Sequence, residues 1–148
     1  MIPVKVLAVR YVNNAAPALL EGLGAGTGQR SIAMLTTDCD DATYIALDAA
    51  TKAADVEVIY GRSFYAGAAN ASTPNAGEVI GILAGATPGA VRSGMEAALG
   101  ALKRVGFEEV NGVPYLAHTV SSVGTFLAKE AGVRVGSAIC YLIAPPLE

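Results

Sequence analysis

The sequence predicts a layered α/β domain, with helices laid against a mixed or antiparallel sheet. Three observations lead there. Short Val-rich, partly alternating segments recur between residues 5 and 84, and a stretch after Thr87-Pro88 carries apolar residues at helical spacing. Composition completes the case, with 53% hydrophobic and only 16% charged residues in a 148-residue chain. Such a chain buries a core without needing disulfides or metals.

Taken in order, residues 5–12 (KVLAVRYV) form the first strand. A short helix follows, with Asn14 as N-cap and Pro17 in the first turn. Its face is Ala16, Leu19, Leu20 and Leu23. Residues 22–28 are a glycine-rich loop. Residues 31–37 (SIAMLTT) are a second strand. Asp38, Asp40 and Asp41 then stand where a helix begins, favoured by its exposed N–H groups and dipole. This helix runs to about Ala54, with a narrow face of Ala42, Ile45, Ala46, Ala49 and Ala53. Residues 56–60 (VEVIY) are a third strand.

Residues 61–77 are dominated by Gly, Ala, Ser and Asn, too small to make a core of their own, and are expected to be a long loop or loose hairpin. Residues 78–84 (EVIGILA) are a buried-type strand. Thr87 caps the clearest helix, whose face is Val91, Met95, Ala98, Leu99, Leu102 and Val105. Asn111-Gly112 marks a turn. Beyond it, residues 115–122, 126–131 and 137–144 repeat the opening order of strand, short helix and strand. The expected organisation is a first domain over residues 1–110 and a partial second copy over residues 111–148.

Several function classes lack their signatures. Net charge is −3, and the basic residues form no run longer than Lys103-Arg104, so a nucleic-acid partner is not expected. No apolar run approaches the ~20 residues of a membrane span, and the start, Met1-Ile2-Pro3-Val4-Lys5, enters a strand directly. A cytosolic setting is expected, with Cys39 and Cys140 as free thiols. The glycines at 22, 24, 26 and 28 are followed by Gln29-Arg30, where a P-loop needs Lys and a hydroxyl residue.

His118, the single histidine, has no nucleophile signature to serve, and with two separated cysteines it makes no zinc site. The aspartates disfavour a Cys39 thiolate. No general base, nucleophile and orienting group assemble from the pattern, so neither catalysis nor a metal or cofactor is expected. Asp38, Asp40 and Asp41 fit helix capping, a pore lining or a metal site. An EF-hand fails for want of its Gly and terminal Glu. Glu78 opens a strand, Phe107 ends a helix, and Arg62 with Tyr65 either holds the loop or touches a neighbouring subunit.

The stretch DCDDATYIALDAATKAADVEVIYGRSFYAGAANASTPNAGEVIGILAG, residues 38–85, resembles the tandem-domain shell proteins of ethanolamine-utilisation bacterial microcompartments. The segments VSSVGTFLAKEAGV and YLIAPPLE resemble that family's second domain. The resemblance implies permuted microcompartment domains, trimers forming pseudohexameric tiles, and a place in a microcompartment shell within the cytoplasm beside other shell proteins. It also implies small acidic pores that bind ethanolamine, with Asp40, Asp41 and Glu78 at the matching positions and Phe107 matching an aromatic near the pore. Carboxylates suit a small ammonium ion carrying a hydroxyl, and a pore must release what it binds, so affinity is expected to be modest. The competing expectation is a trimeric α/β sensor whose 61–77 loop closes over a small molecule at a subunit boundary.

Overall fold

The computed structural model describes residues 1–64 and 78–144. Tyr65, the rest of the expected 61–77 loop beyond residue 64 and the terminal residues 145–148 lie outside the described residues, while residues 61–63 continue the preceding strand instead of opening a loop. The chain begins with β1 (Ile2–Pro3) and β2 (Val6–Val12), followed by the short α1 (Pro17–Gly22) and β3 (Ser31–Thr37). Then come α2 (Asp40–Ala53), β4 (Glu57–Ser63), β5 (Val79–Gly85) and α3 (Pro88–Leu102). The later elements are β6 (Gly106–Val110), β7 (Val113–Val120), α4 (Thr125–Ala131) and β8 (Ile139–Ile143). Every described strand pair is antiparallel, in two four-stranded sheets ordered β2-β3-β5-β4 and β1-β6-β7-β8.

Local chemistry explains most of these boundaries. Thr87 starts α3, its hydroxyl accepting the Ala90 N–H at 3.1 Å while Pro88 occupies the first turn. Thr87→Ala is expected to cost about 1 kcal/mol in urea unfolding, because it strips the one side-chain acceptor from that helix end. Asn111 (φ 50°) and Gly112 (φ 80°) both have positive φ, which is what a two-residue type I′ hairpin between β6 and β7 demands. The turn expected at Asn111-Gly112 is therefore a hairpin tip inside the second sheet.

Two strands escape the sequence reading. In β6, Gly106 and the Glu108-Glu109 pair hide the alternation, and β1 holds only Ile2 and Pro3, paired to Phe107 and Gly106. The cap of α1 is also different from expectation. Ala16 occupies the N-cap position with no side-chain bond. An Asn14 cap would have to serve the N–H groups two or three residues on, and Pro17 has none.

Helices α2 and α3 lie side by side against the first sheet, and one core joins both sheets. Leu35, Leu47, Leu83 and Met95 belong to it together with Leu116, Val123 and Leu127 from the β7–α4 region. The buried face of α2 is wider than a stripe of alanines, since Leu47 and Asp48 are both fully covered while Ala53 is exposed. A smaller cluster of Ile32, Ile82 and Ala84 has Leu20 and Leu23 packed against it. The β2–α1–β3 and β7–α4–β8 segments share one arrangement, an antiparallel pair with a short helix in its connection.

Candidate functional site

Acidic residues converge at the end of the first sheet where β3 leads into α2. Asp38 is already committed. Its carboxylate accepts the Lys5 N–H at 2.8 Å and its own N–H donates to the Lys5 carbonyl at 3.1 Å, so it latches the start of β2 to the end of β3. Thr37 closes the helix start beneath it, its hydroxyl accepting the Cys39 N–H at 3.1 Å and lying 2.7 Å from the Thr43 hydroxyl. Cys39 is the N-cap by backbone conformation alone. Its thiol is buried and pushed up to about 12, first by burial and then by the neighbouring aspartates, which makes it unreactive. Cys140 is exposed on β8, so the two cysteines are free thiols.

Asp40 and Asp41 form the first turn of α2, where the helix dipole favours negative charge. Asp40 is buried, and its carboxylate accepts the Asp41 N–H at 2.9 Å. Asp41 is half-buried. Burial, the charge of Asp40 and a side-chain hydrogen bond to Asp40 raise its carboxyl to about 6. Glu78 is half-buried one residue beyond the Thr37–Val79 register pair, so the backbone carries it to the same sheet end as Asp38. Its carbonyl accepts the Phe64 N–H at 2.9 Å. The fold thus brings Asp40, Asp41 and Glu78 to one end of one sheet, whereas Phe107 is buried in the core on β6 opposite Ile2.

Aromatic residues that the sequence reading passed over stand beside these carboxylates. Tyr44, one helical turn after Asp40 and Asp41, has its phenol raised by burial and by both aspartates, and its ring lies 6.1 Å from that of Phe126 on α4. Tyr141 on β8 is pushed up to about 12 by burial and then by Asp41. The i+3 and i+4 spacing from the aspartates to Tyr44 was a usable signal. Tyr141 comes from a strand about 100 residues away, and no spacing rule reaches it.

Carboxylates at the mouth of a short aromatic wall suit a small ammonium group, through charge-assisted hydrogen bonds and the negative ring faces. The raised Asp41 has a stability signature. An acid whose folded value lies above its unfolded value of 3.8 stabilises the fold below that value, and this contribution is lost as pH rises towards about 6. Asp41→Asn should therefore melt close to the wild type near pH 4 and above it at pH 7. Equal differences at both pH values would show that Asp41 does not titrate as described.

The remaining candidates lie elsewhere. Arg62 on β4 sits 5.7 Å from the Tyr60 ring centre, and Tyr65 lies outside the described residues. His118 is half-buried on β7, held below its usual range by burial and by Arg104. The glycines at 24 and 28 take positive φ within the expected loop.

Comparison with known proteins adds to this geometry. Residues 31–114 match the BMC domain family. The bacterial microcompartment shell protein EutL of Clostridium perfringens is 50% identical over all of this chain and 70% of its own length. EutL of Salmonella typhimurium is 41% identical over 69% of its length. The crystal structure of the ethanolamine utilization protein EutL from Leptotrichia buccalis superposes with a TM-score of 0.86 at 49% identity, covering 98% of this chain and 69% of that one. EtuB from Clostridium kluyveri, at 19% identity and a TM-score of 0.74, shares the fold.

Proposed function

Because this chain belongs to the EutL family of bacterial microcompartment shell proteins, we propose that its acidic sheet end, Asp40 and Asp41 with Glu78, lines a small pore that binds and passes ethanolamine. Its place is the shell of an ethanolamine-utilisation microcompartment, where its relatives are structural proteins. The observation that carries the pore reading is the pairing of a buried Asp40 with a half-buried, raised Asp41 beside Tyr44 and Tyr141. Two carboxylates that repel each other when both ionised gain most from a cation placed between them. An ammonium carrying a hydroxyl offers that charge and further hydrogen bonds.

The same reading makes residues 1–110 a first domain and residues 111–148 the opening of a second. The shared strand–helix–strand arrangement of β2–α1–β3 and β7–α4–β8 supports this division. Self-association into trimers, tiling beside other shell proteins and a structural role without catalysis complete the proposal. Phe107 is left out of the proposed lining, since its side chain is buried in the core on β6.

Calorimetric titration with ethanolamine tests the site. Modest, saturable binding is expected, weakened at least about tenfold by Asp41→Asn, because a hydrogen bond to a charged group contributes on the order of 1.5–3 kcal/mol. Binding should also weaken as pH falls through about 6, where Asp41 takes up its proton. Affinity unchanged in both Asp40→Asn and Asp41→Asn would remove these carboxylates from the site.

A further inference from the structure

A cleft of about 280 Å³ opens where the C-terminal parts of α2 and α3 meet β7. Its apolar walls include Ile45 and Val105, and its polar lining residues are Lys52, Arg104, His118, Thr119 and Ser121. Among the described residues no carboxylate lines it, although the chain carries 13 acidic against 10 basic residues. We propose that this cleft binds a small organic oxyanion, its charged end held by Arg104 and His118 and its short apolar stem lying on Ile45 and Val105.

The charges divide clearly. Lys52 is spent on the fold, donating to the Ser122 carbonyl at 2.9 Å and standing 3.6 Å from the fully buried Asp48. That pair largely cancels, which leaves the Arg104 guanidinium as the net charge of the cleft. Arg104 forms no ion pair among the described residues. Burial holds the His118 imidazole below its usual range, and the nearby Arg104 charge acts in the same direction. Each of the two cationic groups therefore raises the cost of the other, and an anion between them removes that cost. Lys52 shares the cleft with the imidazole from α2, Arg104 from the end of α3, and Tyr141 is its cross-strand neighbour on β8. An anion binds the protonated imidazole better, so affinity rises as pH falls through the His118 range.

Guanidinium and imidazolium groups take carboxylates and phosphates alike. The experiment separates those sources and asks whether the stem matters. His118 is the single histidine of the chain, so its ring signals in an NMR titration with butyrate or with inorganic phosphate are unambiguous. We expect a saturable shift with half-saturation on the order of millimolar, tighter at pH 5.5 than at pH 7.5, with butyrate ahead of phosphate. Arg104→Gln should raise the half-saturation at least about tenfold while the adjacent, exposed Lys103→Gln leaves it in place. A non-saturating drift, or equal losses in the two variants, would overturn the site and reduce the effect to general charge. Saturation by phosphate with none by butyrate would overturn the apolar stem.

Discussion

Asp48→Ala should lower stability by about 3–5 kcal/mol, on the scale of two buried charge-assisted hydrogen bonds lost together. The Asp48 side chain is fully covered in the middle of α2. Its carboxylate accepts the Gly124 N–H at 2.8 Å and the Leu127 N–H at 2.9 Å, so it caps α4 from another part of the chain, and Lys52 stands 3.6 Å away. Truncation leaves two buried donors unpaired and Lys52 without its counter-charge. Domains retain only about 5–15 kcal/mol in total, so the variant should unfold at markedly lower urea and lose hydrogen-exchange protection first in α4 and the β7–β8 pair. Asp48→Asn keeps one acceptor oxygen and should cost roughly half as much. A loss below about 1 kcal/mol for the alanine variant would mean that α4 docks without this bond.

Leu47→Ala is the second large effect, at about 2–5 kcal/mol, because it empties a fully buried position between α2 and the first sheet. The site is closely fitted. A methyl group at Gly81 of β5 would come within 2.7 Å of the Leu47 side chain. Gly81→Ala alone should therefore cost about 1–3 kcal/mol through overpacking. In the Leu47→Ala background, the same methyl fills part of the cavity. The double variant should then be more stable than the two single losses combined, by about 1 kcal/mol or more. Strict additivity in thermal or urea unfolding would show that helix and strand do not meet through this pair.

The central elements were legible because each carries its own local signal. Val91, Met95 and Ala98 mark the buried face of α3, Thr87-Pro88 marks its start, and SIAMLTT and EVIGILA mark the strands that pair at the middle of the first sheet. What escaped depends on partners distant in sequence. A two-residue β1 exists because β6 offers it an edge, and β6 itself shows no alternation across Gly-Phe-Glu-Glu-Val. Asp48 carries no local signal of its role, since its two donors lie 76 and 79 residues further on.

The acidic site was legible in its carboxylates and not in their roles. Spacing places Asp38, Asp40 and Asp41 together at a helix start, yet only the structure separates Asp38, engaged by Lys5, from the Asp40–Asp41 pair. Burial of Phe107 could not be read from its position after a helix, because β6 carries no local strand signal and the core Phe107 joins draws on distant elements. Likewise, Tyr141 joins the carboxylates through the β7–β8 pairing, which links segments on either side of α4.

Self-association is the property on which a shell subunit depends, and the mass of the purified protein in solution measures it directly. Multi-angle light scattering should give a mass three times that of the 15.0 kDa chain, or larger assemblies built from that unit. A single species at 15.0 kDa across the accessible concentration range would contradict the tiling role for this chain.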